Sequence, residues 1–217
     1  MSFLADKNGS GLANRIAAIE RDAIGWAAGY HVATGKTPVV YMQNSGLGNT
    51  INPITSLTDP EVYSIPLLLM IGWRGEPGVH DEPQHLKMGK VMMPLLDVIG
   101  IDYAILSNDI QDAEKDVFLA IKSIKETKRP YALIIKSKTF EGYKAEDEVG
   151  DFEMTREEAI RIIIDTMAGD EIIVSTTGKT SRELFEYREV KKTGHQNDFL
   201  MVGSMGLASS FGSEIAL

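Results

Sequence analysis

Hydrophobic positions along the chain follow two alternating spacings. Short apolar runs rich in β-branched residues predict strands, and stretches with an apolar residue every three to four positions predict helices. Before residue 137 the predicted strands are 38–42, 65–71, 102–106 and 131–135, and the predicted helices are 20–34, 86–99 and 111–127. This alternation favours an α/β fold in which helices flank both faces of a parallel sheet.

Two of these helices have features that can be interpreted individually. The alanine-rich helix 20–34 is followed by Gly35, a typical C-cap. Trp26 and Tyr30 lie four residues apart on it, which favours a packing contact over a ligand-binding role. The helix 111–127 carries an apolar stripe that we expect to face the sheet: Ala113, Val117, Ala120, Ile121 and Ile124.

The pattern changes after residue 137. The polar, charged segment 138–153 predicts a linker, and it divides a first domain at 1–137 from a second at 154–217. In the second domain Thr155 and Glu158 have capping-box spacing at the start of a helix. Its predicted apolar face is Ala159, Ile160, Ile163, Ile164 and Met167, and the later elements are strands at 171–175 and 199–202 and helices at 180–188 and from 206 onward. Two strands are too few for an independent sheet, so we expect only the start of a domain here, and a truncated one.

Composition narrows the possible functions. The 217 residues include no cysteine, which excludes disulfides, thiolate metal sites and cysteine nucleophiles. The formal charge of −9 argues against nucleic acid as a partner. No apolar run is long enough to span a membrane, and the first residues lack the layout of a signal peptide, so the sequence predicts a cytoplasmic protein without a membrane partner.

Two glycine-containing turns follow predicted strands. Gly46 and Gly48, in the segment Asn44–Thr50, would let backbone N–H groups approach a ligand, although taken alone the segment predicts a tight turn without one. The segment Thr176–Ser181 contains Gly-Lys-Thr but lacks the earlier glycine of a phosphate-binding P-loop, because that position is Ile173. It is compatible either with an anion-binding nest at a helix start or with simple N-capping by Thr180 or Ser181.

A third candidate is the loop 72–85, which follows the predicted strand 65–71. It contains Arg74, suited to clamping a carboxylate or phosphonate, and two histidines, His80 and His85. A metal site built from His80, Asp81 and His85 and a purely solvated surface loop are the alternatives. Glu20, at the start of the first helix, is in isolation typical of a solvated residue that stabilises the helix dipole.

Taken together, these segments resemble a known family. Glu20 with Ala27–Lys36 resembles the pyrimidine-binding domain of thiamine diphosphate-dependent 2-oxo acid decarboxylases. The runs Tyr41–Pro53 and Ile71–His85 resemble the phosphonopyruvate decarboxylase subfamily, and Thr176–Leu184 and Asp198–Gly206 resemble its diphosphate-binding domain. The resemblance covers nearly the whole chain from Glu20 onward.

The resemblance implies a role for each segment. Glu20 would be the catalytic acid that protonates the pyrimidine ring of thiamine diphosphate. The residues implied to bind the cofactor are Gly46, Leu47, Gly48, Asn49, Thr177, Gly178, Lys179, Gly203, Ser204, Met205 and Gly206. Arg74, His80 and His85 would bind the anionic substrate, an assignment motivated by charge alone.

The implied activity is decarboxylation of 3-phosphonopyruvate to phosphonoacetaldehyde and carbon dioxide, by a homodimer or larger homo-oligomer. The family also binds magnesium through a Gly-Asp-Gly motif, which this sequence lacks, so its metal ligands would lie outside the chain. The region before Glu20 is also shorter than in the family. A truncated or degenerate non-catalytic fragment and a sulfopyruvate decarboxylase are therefore alternatives.

Overall fold

A computed structural model describes residues 15–142 and 152–216. The chain divides into two compact units, Met1–Tyr143 and Lys144–Leu217, and this division falls within the predicted linker 138–153. Residues 143–151 of that linker and residues 1–14 lie outside the described residues.

The first unit is built on a parallel four-stranded sheet. Its strands are β1 (Val39–Gln43), β2 (Leu68–Gly72), β3 (Asp102–Ile105) and β4 (Tyr131–Ile135), in the spatial order β1-β2-β4-β3. The inner strands β2 and β4 are almost entirely apolar, and most of their side chains are buried. Because all four strands are parallel, their carboxyl ends meet at one edge of the sheet, where α/β proteins place their ligands.

Helices cover both faces of this sheet, as the alternation predicts. They are α1 (Glu20–Thr34), α2 (Leu47–Pro53), α3 (Pro83–Val98) and α4 (Ile110–Thr127), and a π-helical segment, Ile54–Thr58, extends α2. One core joins α1, α2 and α3 to the sheet through residues such as Ile24, Leu47 and Met92. A second core joins α4 to the opposite face through Ala120 and Ile124.

Some helix positions face differently from the prediction. Helix α1 buries Ile24, Ala27 and Ala28, so Trp26 and Tyr30 point away from the sheet with 48% and 41% of their surface exposed. Neither aromatic ring is therefore buried in the core of this unit. On α4 the stripe from Ala113 to Ile124 faces the sheet, except that Val117 is exposed, because only a narrow strip of this helix contacts the strands.

Within residues 152–216 the second unit has a two-stranded parallel sheet and three helices. Its elements are α5 (Arg156–Thr166), β5 (Ile173–Ser175), α6 (Lys179–Lys191), β6 (Asp198–Leu200) and α7 (Ala208–Ile215). The capping box between Thr155 and Glu158 is present. Helix α5 buries Ile164 but exposes Ile163, contrary to the prediction, because the two residues are adjacent and only one of them can face the small sheet.

Candidate functional site

The carboxylate of Glu20 lies against the turn that follows β1. Glu20 is the first residue of α1, and Asn49 donates a hydrogen bond from Nδ2 to Glu20 Oε2 over 2.8 Å. A Cβ atom added at Gly46 would lie 2.3 Å from both Cδ and Oε1 of Glu20, closer than atoms can approach. Gly46 has ordinary helical angles, φ −86° and ψ −11°, so glycine is needed there for the space it leaves.

This turn is fixed to the core by its apolar side chain. After β1 the chain forms one 3₁₀ turn, Asn44–Gly46, and then enters α2 at Leu47. The Leu47 side chain is fully buried in the core, so it holds the turn in place and only its backbone can face a ligand. Gly48 and Asn49 are exposed, and a Cβ at Gly48 would meet nothing within 4 Å. The structure thus brings Glu20, Gly46 and Asn49 together, with open space at Gly48.

Asn44 connects this turn to the loop after β2. Its side chain is 0% exposed, its Nδ2 donates to the Arg74 carbonyl oxygen over 2.7 Å, and its Oδ1 accepts from the Arg74 backbone N–H over 3.1 Å. Local sequence patterns do not predict this contact, since the two residues are 30 positions apart. The available signal was two polar residues, Gln43 and Asn44, at and directly after the end of the first strand.

The side chain of Arg74 is held by Asp81 within the loop between β2 and α3. Arg74 donates from Nε to Asp81 Oδ2 over 2.8 Å and from Nη2 to Oδ1. The same carboxylate accepts the backbone N–H groups of Gly75 and Glu82, each over 2.7 Å. These hydrogen bonds, above all those from Arg74, hold the pKa of Asp81 well below its usual range. The guanidinium predicted to clamp a substrate therefore already has an intramolecular partner.

The beginning of this loop also packs tightly on α3. A Cβ at Gly89 would lie 1.8 Å from the Gly75 carbonyl oxygen, so glycine at position 89 permits the close approach. Trp73 donates from Nε1 to the Gly89 carbonyl oxygen over 2.9 Å, and Lys136 forms an ion pair with Glu76 at 2.5 Å. The beginning of the loop is therefore anchored to the fold, whereas residues 77–80 are exposed, as the alternative of a solvated surface loop predicts.

The two histidines of the loop have different surroundings. His80 is exposed, and His85 is half-buried at the start of α3. Loss of solvent and, next, the positive charge of Arg74 lower the pKa of His85, which favours the uncharged form of its ring. An uncharged imidazole attracts an anion only by donating a hydrogen bond, which weakens the case for His85 as a charged anion ligand.

A metal site in this loop is not supported. Across residues 15–142 and 152–216, no group of three His, Cys, Asp or Glu side chains is arranged to hold a metal ion. Asp81, the carboxylate of the proposed set, is instead bound to Arg74.

In the second unit, Gly178 begins helix α6. Its φ of 86° and ψ of −136° are accessible to glycine, and it occupies the N-cap position without a side-chain hydrogen bond. N-capping by Thr180 or Ser181 is therefore wrong. The buried Ser181 instead contacts Ser175 Oγ at 2.7 Å and donates to the Thr176 carbonyl oxygen, also at 2.7 Å.

The remaining predicted cofactor residues lie in the loops at the same end of this small sheet. Thr177, Gly178 and Lys179 follow β5, the segment 203–206 follows β6, and the two strands are parallel. Ser181 also donates to the Met201 carbonyl oxygen over 3.3 Å, which links the two loops. Ser204 and Gly206 have positive φ, 57° and 89°, and Met205 is 70% exposed. The structure therefore places the predicted cofactor residues of the second unit in two neighbouring loops of that unit.

Comparison with known proteins shows what the first unit is similar to. Residues 4–98 match the family described as thiamine pyrophosphate enzyme, N-terminal TPP binding domain. Residues 4–98 are therefore similar to a thiamine pyrophosphate enzyme N-terminal domain. Its matched span contains Glu20, the Gly46–Asn49 turn and the whole Arg74 loop.

Three relatives bear on the chemistry. A phosphonopyruvate decarboxylase from Streptomyces viridochromogenes is 32% identical over 91% of this chain and 52% of its own length. A sulfopyruvate decarboxylase from Methanosarcina acetivorans is 30% identical over 91% of this chain and 54% of its own. The sulfopyruvate decarboxylase subunit alpha of Methanocaldococcus jannaschii is 42% identical over 44% of this chain and 53% of its own. The chain thus spans about half the length of the curated relatives it matches.

In the part of the chain that the structure describes, no helix is long and apolar enough to cross a membrane.

Proposed function

We propose that this chain takes part in the thiamine diphosphate-dependent decarboxylation of 3-phosphonopyruvate to phosphonoacetaldehyde and carbon dioxide. The observation that carries the proposal is the Glu20 carboxylate, seated on Gly46 and hydrogen-bonded by Asn49 within the matched TPP-binding domain. The relatives named phosphonopyruvate decarboxylase support the choice of substrate.

The first unit has the features that the pyrimidine end of the cofactor requires. A carboxylate is fixed in orientation by Asn49, and the adjacent backbone at Gly48 has open space on the side where a side chain would stand. When bound, thiamine diphosphate supplies the electron sink that a 2-oxo acid needs to lose carbon dioxide. In this proposal Glu20 holds the proton at a pyrimidine ring nitrogen, and Asn49 keeps its carboxylate in position.

The second unit provides residues suited to the diphosphate. Gly178 starts α6 with an exposed backbone, Lys179 contributes a positive charge, and the loop 203–206 follows the neighbouring strand. Helix N-termini and glycine-containing turns favour anions because their N–H groups are unpaired. Magnesium is proposed as the counter-ion of the diphosphate, but this sequence has no Gly-Asp-Gly, and we propose none of its residues as a metal ligand.

Arg74 is proposed to recognise the phosphonate, with His80 and His85 beside it on the same loop. Asp81 binds Nε and Nη2 of Arg74, which orients the guanidinium but also competes with a substrate anion for it. Sulfopyruvate is the second candidate substrate, because relatives that carry this name match the chain at 30–43% identity. Both substrates present an anionic group beyond the 2-oxo acid, so Arg74 serves either.

We also propose a homodimer or larger homo-oligomer. Trp26 and Tyr30 on α1 are large, exposed and adjacent, which favours their burial in an interface between subunits. Light scattering after gel filtration measures the mass directly, and a monomer at micromolar concentration would contradict this part of the proposal.

The decisive assay follows carbon dioxide release from phosphonopyruvate and from sulfopyruvate in the presence of thiamine diphosphate and magnesium. We expect cofactor-dependent turnover, with the higher kcat/KM for phosphonopyruvate. R74A is expected to raise KM by about tenfold or more, because it removes a charge-assisted hydrogen bond to the substrate.

K90A serves as the control, since Lys90 is an exposed cation on α3 outside the loop. A higher kcat/KM for sulfopyruvate would establish the second candidate. Turnover of neither substrate, together with no cofactor binding, would identify a non-catalytic member of the family and contradict the proposal.

A further inference from the structure

Asn44 continues the β1–β2 ladder with its side chain. The backbone register of these parallel strands ends at the pair Gln43 and Gly72, after which β1 turns into the 3₁₀ segment. The chain after β2 nevertheless stays attached, because the Asn44 carboxamide bonds both the N–H and the C=O of Arg74. One side chain thus replaces a backbone pairing that the turn has interrupted.

The two segments joined in this way carry different parts of the proposed site. On one side, Gly46 follows two residues after Asn44 and lies against the Glu20 carboxylate, which Asn49 holds by a hydrogen bond. On the other side, the Arg74 backbone leads to the guanidinium bound by Asp81. The contact between Asn44 and Arg74 therefore connects the segment of the carboxylate assigned to the cofactor with the segment of the cation assigned to the substrate.

The chemistry of the contact accounts for asparagine at this position. Only a carboxamide offers a donor and an acceptor side by side to the N–H and C=O of a single residue. An aspartate would direct a second acceptor at the Arg74 carbonyl oxygen, and a leucine would leave both buried backbone groups without a partner. The Asn44 side chain is 0% exposed, so solvent does not reach either bond in the folded chain.

We infer that Asn44 is a positioning residue that sets the distance between the Glu20 carboxylate and the Arg74 guanidinium, and thereby where the anionic substrate lies relative to the cofactor. This inference rests on the proposed function. It assigns Asn44 no contact with substrate or cofactor.

N44A tests the inference, with T58V as the matched control. Thr58 is equally buried in the same unit and donates to the Ile54 carbonyl oxygen over 3.1 Å, but it connects no loop of the site. N44A should raise KM for phosphonopyruvate about tenfold, the effect of losing one net hydrogen bond at the Arg74 loop. It should change the dissociation constant of thiamine diphosphate by less than about threefold, since Glu20, Gly46 and Asn49 are retained. T58V should change neither quantity.

Amide hydrogen exchange provides a readout that is independent of catalysis. In the wild-type chain the Arg74 amide should exchange as slowly as the amides of the inner strands, although it lies beyond the end of β2. In N44A it should exchange at least tenfold faster, while T58V should leave it protected. If N44A does not fold, the wild-type exchange rate at Arg74 decides, since a rate typical of an exposed loop would overturn the inference.

The two readouts separate failure of the inference from failure of the proposed function. If wild type turns over neither substrate, while the Arg74 amide is protected from exchange and loses that protection in N44A, the proposed function is wrong and the contact between Asn44 and Arg74 is supported. If wild type is active and N44A matches T58V in KM and in exchange at Arg74, the inference is overturned and the proposed function stands.

Discussion

Replacing Gly46 with alanine is the most specific perturbation of the proposed catalytic carboxylate. The added Cβ would lie 2.3 Å from Cδ and Oε1 of Glu20 and 2.5 Å from Cγ. The backbone at Gly46 has helical angles that alanine adopts without strain, so the clash with Glu20 is the main consequence.

The size of the effect follows from these distances. An ordinary contact begins at 3.4 Å, so the end of the Glu20 side chain must move by about 1.1 Å, the difference between 3.4 and 2.3 Å. That movement breaks the 2.8 Å hydrogen bond from Asn49. Misplacement of a catalytic group by about 1 Å costs on the order of 100-fold in rate. Since the displaced atoms end a flexible side chain, the free energy of unfolding should fall by no more than about 1 kcal/mol.

The assay measures kcat for phosphonopyruvate and the thermal midpoint Tm for G46A and for G29A. Gly29 lies on α1, as Glu20 does, and a Cβ there meets nothing within 4 Å, so G29A should keep wild-type kcat. G46A should lose about 100-fold in kcat with a small change in Tm. A G46A variant with wild-type kcat would refute the argument that the position of Glu20 against this turn matters.

Three further predictions concern other contacts. E20Q keeps the size of the side chain but cannot supply a proton as an acid, so kcat should fall by about 100-fold or more while Tm stays within a few degrees of wild type; unchanged turnover would remove Glu20 from its role. D81N should lower the free energy of unfolding at pH 7 by on the order of 1–2 kcal/mol, measured by urea denaturation. Because the pKa of Asp81 is lower in the folded than in the unfolded state, its carboxylate stabilises the folded chain above the unfolded pKa of about 3.9, and this stabilisation is lost as pH falls through the folded pKa. The difference in free energy of unfolding between wild type and D81N should therefore narrow below about pH 4. A difference that widens there would contradict the assignment. S181A should lower the free energy of unfolding of the second unit by about 1–2 kcal/mol, since Ser175 and two loop carbonyl groups lose a buried partner. S210A, on the exposed surface of α7, should match wild type. Equal effects of the two substitutions would show that the buried hydrogen bonds of Ser181 do not contribute to stability.

Local signals in the sequence were sufficient to predict most of the elements. The helix α1 ends at Thr34 because Gly35 adopts a φ of 69°, and the apolar run Tyr131–Ile135 forms β4 with the predicted bounds. Such signals depend on neighbouring residues only, so they can be read without knowing the fold. The parallel sheet follows from the order of these elements.

Contacts between distant segments could not be predicted in this way. The bond from Asn44 to Arg74 joins residues 30 positions apart, and the approach of Asn49 to Glu20 joins residues 29 apart. Asp81 was considered only as a candidate metal ligand, yet its carboxylate organises the loop by accepting four hydrogen bonds. Each of these contacts depends on how the strands are ordered in space, which the local sequence does not determine.

The wrong predictions of which helix residues are buried have a related cause. Periodicity identifies an apolar helix face but not how wide a strip the sheet covers, so Val117 and Ile163 were assigned to buried faces although they are exposed. Trp26 and Tyr30 were interpreted as packing residues, but the residues of α1 that are buried in the core are Ile24, Ala27 and Ala28. The exposed aromatic pair supports the proposed subunit interface.

Binding of thiamine diphosphate to the first unit's carboxylate is the central claim, and isothermal titration calorimetry tests it most directly. Thiamine diphosphate is titrated with magnesium into wild type, E20A and the control G29A. The account predicts saturable binding to wild type and G29A, and an affinity at least about tenfold weaker for E20A, because the contact with the pyrimidine is lost. No binding to wild type, or equal affinities for wild type and E20A, would contradict it.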